Sequence, residues 1–310
     1  MESLYTGSLR RWIIENNNGR PPFKCDDYPA FISCLLHQRG IESREEMESF
    51  LAPGTQHLHD PFLMKGMDMA AERVVQAIDK SESVLIYGDY DVDGVTATSI
   101  LVDFLRREGL KPEFYIPDRA EEGYGISDAA VDIVCDSTFD LMITVDCGIT
   151  AKQQVEAIQQ RRLEMGKPLD IIITDHHQCQ EGQIPQAYAI LNPHMPDCPY
   201  PFKYLCGAGI ALKLVQGVGI MMGKPELYME YLDLAALATI ADIVDLTGEN
   251  RVIASLGLKK MNQNCCLGIK SLMDMAGFSA GILDSRRVSF MLAPRVNAAG
   301  RMGDAKRAVL

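Results

Sequence analysis

Short apolar runs alternate with stretches of helical spacing through the middle of the chain. The runs at 84–88, 141–145 and 170–174 are rich in Val, Ile and Leu, as buried parallel strands are. Weaker extended runs lie at 113–116 and at 187–191, the second ending in Asn192-Pro193. Apolar residues recur at helical spacing in 67–80 (Met67, Ala70, Ala71, Val74, Val75, Ile78), and helices are expected over 95–108, 127–134 and 150–160. This alternation predicts an α/β fold with a doubly wound, mostly parallel sheet. From about Tyr204 the pattern turns helical, over 205–222, 226–243, 251–262 and 268–276. Three parts follow: a helical preface at 1–80, an α/β domain at 81–243, and a helical extension and linker at 244–310. The preface holds polar, proline-bearing stretches at 16–22 and 53–61, and the extension ends inside a helix starting near Asp304, as if a further domain followed.

Composition narrows the class without choosing a function. With 310 residues, 47% of them hydrophobic, the chain can bury a sizeable core. No segment nears the roughly 18 uninterrupted apolar residues of a membrane span. The start, Met1-Glu2-Ser3-Leu4-Tyr5, has neither the basic nor the apolar part of a signal peptide. Nine cysteines without a CxxC pair suit reduced thiols in a cytoplasmic protein. The net charge of −12 argues against indiscriminate nucleic-acid binding. It is uneven, however: from Lys259 onward nine basic residues face three acidic ones, a net of +6 that leaves −18 for residues 1–258.

Chemistry gathers where the apolar runs end. The first run leads into Asp89-Tyr90-Asp91-Val92-Asp93-Gly94, the second into Asp146-Cys147-Gly148, the third into Asp175-His176-His177. Open α/β sheets bind ligands beyond the carboxyl ends of their strands, so three strands deliver carboxylates and imidazoles to one edge. Carboxylates alone would repel one another there, and a divalent metal is the natural counter-charge. The first motif opens like a calcium-binding EF-hand loop, but the twelfth position, where that loop needs Glu, is Ile100. Helix capping explains one of its aspartates and leaves two unexplained. Asp146 alone reads equally well as a turn residue. Adjacent histidines point in different directions, so one can ligate metal while the other faces substrate, with Asp175 orienting an imidazole. A zinc site of His176 or His177 with Cys179, His194 and Cys198 fits no standard spacing.

Other candidates are weaker singly. Asp233 and Asp242 share one helical run, nine residues apart, hence about 180° apart around a regular helix. Only one of them can face the site, and either could complete it. Gly207-Ala208-Gly209 opens an apolar helix whose N–H groups could hold a phosphate, or whose small residues could serve close packing. Arg295, Asn297, Gly300 and Arg301, in Pro294-Arg295-Val296-Asn297-Ala298-Ala299-Gly300-Arg301-Met302, suit phosphate recognition, although a basic linker would look similar.

Together, the strings 88–96, 145–148, 175–177, 238–242 and 294–301 resemble the DHH phosphoesterase superfamily, and within it the RecJ-type single-stranded-DNA exonucleases. His59-Asp60-Pro61-Phe62-Leu63 resembles the family's lead-in. The resemblance implies metal ligation by Asp91, Asp93, Asp146, His176 and Asp242, with Asp146 shared between two manganese or magnesium ions. It implies that His177 meets the scissile phosphate and that Arg295, Asn297 and Arg301 hold the substrate backbone. Tyr87 stands where some members carry a histidine, so Asp89 or water would serve the first metal. The implied activity is 5′-to-3′ hydrolysis of single-stranded DNA in repair and recombination. A single-strand-binding protein or a helicase would be reached through further domains. Two alternatives remain: a DHH enzyme for short oligonucleotides, cyclic dinucleotides or pyrophosphate, and a non-catalytic replication scaffold.

Overall fold

The computed structural model describes residues 6–7, 10–11, 28–119, 121–180, 182–278, 283–301 and 305–310. The chain divides into two compact units, Met1–Gly54 and Thr55–Leu310. The first contains a two-residue strand pair, Thr6–Gly7 with Arg10–Arg11, and helices α1 (Ala30–His37) and α2 (Arg44–Leu51). Ser43 and Glu46 form a reciprocal capping box at the start of α2, and Leu36, Ile41 and Met47 make a small core. The polar stretch at 16–22 lies outside the described residues.

The second unit contains five parallel strands: β1 (Val84–Tyr87), β2 (Glu113–Tyr115), β3 (Leu141–Val145), β4 (Asp170–Thr174) and β5 (Ala189–Leu191). Their order across the sheet is β2-β1-β3-β4-β5. Every pairing is parallel, so the expected doubly wound parallel sheet is what forms. Strand periodicity sorts the side chains between two layers. Val84, Ile86, Leu141, Ile143, Val145 and Ile172 enter the larger core, whereas Leu85, Tyr87, Met142, Ile171 and Ile173 enter the smaller one. The larger layer takes α3 (Met67–Lys80), α4 (Val92–Arg107), α7 (Gly207–Met221) and α8 (Leu232–Ala241). The smaller takes α5 (Asp128–Cys135) and α6 (Lys152–Glu164).

Beyond α8 come α9 (Gly248–Asn264) and α10 (Leu267–Met275), then a helical turn at Ser285–Arg287, a π-helical segment at Val288–Leu292, α11 (Ala293–Arg301) and α12 (Ala305–Val309). Two departures from the expected boundaries bear on the site. Helix α4 begins at Val92 instead of 95, because the Asp91 carboxylate accepts from the N–H groups of Asp93 (2.9 Å) and Gly94 (3.1 Å) and caps it early. The helix expected over 226–243 is a 3-10 segment, Leu227–Tyr231, followed by α8, with Asp242 as the residue that ends it. Strand register then fixes the site's position: Tyr87 pairs with Thr144 and Val145 with Thr174, so the residues after β1, β3 and β4 leave the sheet along one edge.

Candidate metal centre

At that edge the carboxylates converge. Asp89, Asp91 and Asp146 each present an oxygen within 4.8 Å of the others; so do ligand atoms of Asp93, His176 and Asp242, and of Asp146, His176 and His177. His176 Nε2 lies 3.1 Å from Asp146 Oδ1, 3.7 Å from Asp93 Oδ2 and 4.0 Å from Asp242 Oδ2. Asp146 and His176 thus each belong to two of the three groups. The residues expected from the sequence, Asp89, Asp91, Asp93, Asp146, His176, His177 and Asp242, are together.

Each is positioned by identifiable local chemistry. Asp146 adopts the left-handed backbone region at φ +59°, and its N–H donates to Thr174 O at 2.9 Å. Asp93 accepts from the N–H groups of Gly207 (2.6 Å) and Ala208 (2.7 Å), tying the first turn of α4 to the start of α7. Asp175 is buried and accepts from Ile149 N (2.9 Å), His177 N (3.0 Å) and His177 Nδ1 (2.7 Å). It orients the second imidazole, as the sequence suggested.

The electrostatics are those of a cation site. Burial first, then repulsion from Asp91, pushes Asp89 up to about 7. Burial and repulsion from Asp93 push Asp242 up to about 7. Burial and the surrounding aspartates push Asp146 well above the carboxylate range. Asp175 is held low in spite of its burial, by hydrogen bonds from His177. The His177 imidazole is raised by its bond to Asp175. Among the described residues Asp89 Oδ1 and Asp146 Oδ1 are buried and make no hydrogen bond, a condition that native structures resolve with water or an ion. Cis ligands of an octahedral ion with bonds of about 2.1 Å stand about 3 Å apart, close to the Asp146–His176 separation. An oxygen-rich set with one or two imidazoles fits manganese or magnesium.

Several expectations require correction. Asp233 is fully buried but turned away: it accepts from Cys266 N at 2.8 Å, and Lys260 Nζ lies 3.9 Å from its other oxygen. It fixes the start of α10, and Asp242 alone of the pair faces the metal centre. Gly207 does not offer its N–H to a phosphate, because Asp93 takes it. The glycine is there for space, since a Cβ would stand 2.6 Å from Asp146 Cβ. A Cβ on Gly209 would press on Leu205 at 3.3 Å, again a packing constraint. Asn297 Oδ1 accepts from Val92 N at 3.1 Å, and a Cβ on Gly300 would meet Tyr90 O at 2.2 Å. Both dock α11 onto the first motif. Arg295 is exposed, its guanidinium donating to Met291 O, and the Arg301 side chain lies outside the described residues. Among the described residues no candidate ion group includes Cys179, His194 or Cys198. Cys147, between Asp146 and Gly148, is a buried spacer whose thiol is pushed up by that burial.

Two residues at this edge were missed. Tyr124 donates to Asp146 O at 3.0 Å and lies beside His177. Asn192, fully buried, donates to His177 O at 2.9 Å and accepts from His194 N at 2.8 Å. A signal existed for each: Tyr124 sits between two glycines in the loop after β2, and Asn192 directly follows the β5 run.

A match over residues 83–239 to the DHH family, N-terminal domain, coincides with the strands and loops that build this centre. The chain belongs to the DHH family. It is 44% identical over 278 residues to the single-stranded-DNA-specific exonuclease RecJ of Bacillus subtilis (strain 168), covering 90% of this chain and 34% of that protein. A crystal structure of exonuclease RecJ bound to manganese superposes with a TM-score of 0.70 at 34% identity, over 79% of this chain and 60% of that one. RecJ from Thermus thermophilus in complex with Mn2+ superposes with a TM-score of 0.74 at 30% identity, over 91% of this chain and 39% of that one. The chain spans about a third to a half of the length of the curated relatives it matches.

Proposed function

We propose that this chain carries the catalytic centre of a RecJ-type 5′-to-3′ exonuclease, hydrolysing phosphodiesters of single-stranded DNA with two manganese or magnesium ions. The observation that supports it best is the set of Asp89, Asp91, Asp93, Asp146, His176 and Asp242, two of whose buried carboxylate oxygens make no hydrogen bond among the described residues. Bound there, divalent cations supply Lewis acidity to a phosphate and lower the pKa of water toward 7. The protein's part is to hold the ligands and keep Asp146 between the groups. His177, with 41% of its side chain open and its ring held by Asp175, is placed to meet a non-bridging phosphate oxygen. Exposed Arg295 suits the anionic backbone farther along the strand. On this reading the enzyme works in the cytoplasm, and a single-strand-binding protein or a helicase would be reached through further domains.

The test is hydrolysis, with manganese, of a long single strand labelled at its 5′ end, compared with a duplex, dinucleotides, cyclic dinucleotides and pyrophosphate. Release of 5′ mononucleotides from the long strand is expected. Preference for the small substrates would move the chain to another DHH activity, and no manganese uptake by calorimetry would leave a scaffold.

A further inference from the structure

We propose that Tyr124 is a positioning residue for this hydrolysis: its hydroxyl ties the Asp146 turn to the His177 ring and fixes the angle between that imidazole and the metal-binding carboxylates. The inference rests on the phosphodiesterase function proposed above.

The hydrogen bonding assigns the roles. Tyr124 Oη donates to Asp146 O at 3.0 Å. A phenol has one proton, so toward the imidazole the same oxygen only accepts. It lies 3.0 Å from His177 Nδ1 and 3.3 Å from Nε2. Nδ1 is also the nitrogen 2.7 Å from Asp175 Oδ1. The Nδ1–H is therefore held by the Asp175 carboxylate, while the phenol oxygen rests against the same ring, within 3.3 Å of both nitrogens. On the other side of the hydroxyl, the Asp146 turn sits in the left-handed region at φ +59°, uncommon for a residue other than glycine. Its N–H is fixed by Thr174 O and its carbonyl by Tyr124.

The loop that presents Tyr124 is itself clamped. Glu122 accepts from Tyr115 Oη (2.9 Å), Asp118 N (2.9 Å) and Ser127 Oγ (2.6 Å), and buried Tyr87 donates to Gly125 O at 3.0 Å. Ordinary apolar burial does not account for the residue, since 47% of its surface stays open while the hydroxyl points inward. The phenol is placed for its oxygen.

The decisive variant is Tyr124→Phe, which keeps the ring and the loop and removes only the hydroxyl. We expect kcat to fall about 10- to 100-fold, as small misplacements of catalytic groups do. KM, manganese affinity and melting temperature should stay near wild type. A second readout needs no turnover: crystal structures of the metal-free proteins should show one His177 ring orientation in the wild type and a rotated or split ring in Tyr124→Phe. An unchanged kcat with an unmoved ring overturns the proposal. So does a loss confined to stability or metal affinity, which would make Tyr124 merely structural. Should the wild type hydrolyse no phosphodiester, the functional assignment fails, and the two ring orientations still test the linkage.

Discussion

Asp146 shows what a metal centre demands of a single side chain. Its carboxylate is buried among Asp89, Asp91, Asp93 and Asp175, all of which raise its affinity for a proton, and its backbone is left-handed. Asn tolerates that backbone better than Ala does, so Asp146→Asn removes the charge without adding strain. This variant should lose manganese-dependent hydrolysis and the manganese-induced rise in melting temperature. Without metal it should melt a few degrees above the wild type, because the cost of burying an acid there, and of setting it among other aspartates, is removed. A lower melting temperature for the metal-free variant, in a thermal scan with chelator, would contradict this account. Protons and metal also compete. Asp89 and Asp242 are raised to about 7, against about 4 for an unfolded Asp. Between those values the metal-free folded chain keeps protons that the unfolded chain has released, so these groups make stability fall as pH rises across the window. A bound cation removes those protons. Near pH 6, calorimetry in buffers of different ionisation heat should show proton release on manganese binding, with affinity rising toward pH 8. Uptake without proton release would mean that these carboxylates are not ligands.

At the scale of elements, polar contacts between distant segments hold the edge in shape. Asp93 caps α7 from α4, and Gly207 lets α7 approach Asp146. Farther from the metal, Lys213 on α7 and Glu249 on α9 pair at 2.6 Å, both essentially buried. Around them Tyr200 Oη donates to Glu249 at 2.6 Å, His59 N donates to it at 2.9 Å, and Lys213 reaches His59 O at 2.8 Å. The lead-in segment at 59–63 is thereby fastened to α7 and α9. Glu249→Ala leaves a buried ammonium unpaired, and breaking such a pair costs about 3–5 kcal/mol. A matching drop in denaturation midpoint is expected, largely recovered in the double variant Glu249→Leu, Lys213→Met. If the single variant loses less than about 1 kcal/mol, that cluster is no keystone. The strands were legible because buried parallel strands carry an unbroken apolar signature. The cap in the first motif and the close packing at Gly207 could be named only as alternatives, since one carboxylate looks the same whether it will meet a metal or an N–H. The Lys213–Glu249 pair was invisible because nothing local links a lysine to a glutamate on another helix.

Over the whole molecule, charge and topology divide the labour. The acidic excess of residues 1–258 includes the aspartates at the sheet edge, whereas the segment from Lys259 onward is net basic. Topology made the site readable: in a parallel sheet every strand run aims its next residue at the same edge, so Asp89, Asp146, Asp175 and His176 could be gathered from spacing alone. Asp242 needed more, because a helix end gives no edge rule; the half-turn between it and Asp233 showed only that one must lose. Tyr124 and Asn192 escaped because each acts through hydrogen bonds that leave no periodic trace. The net-basic segment has the charge to suit a polyanion, and Arg295 is one of its exposed cations, on the helix that Asn297 docks to Val92. If Arg295 neutralises one phosphate, Arg295→Gln should lower the slope of log affinity against log salt for a single-stranded oligonucleotide by about 0.7. The effect should be similar for every base sequence, because a phosphate contact does not read bases. Manganese affinity should stay unchanged, since Arg295 belongs to none of the candidate ligand groups. Fluorescence anisotropy from low to moderate salt, with chelator present to prevent cleavage, measures the slope directly. An unaltered slope would assign Arg295 to the Met291 carbonyl it already bonds and leave the strand's path to other cations.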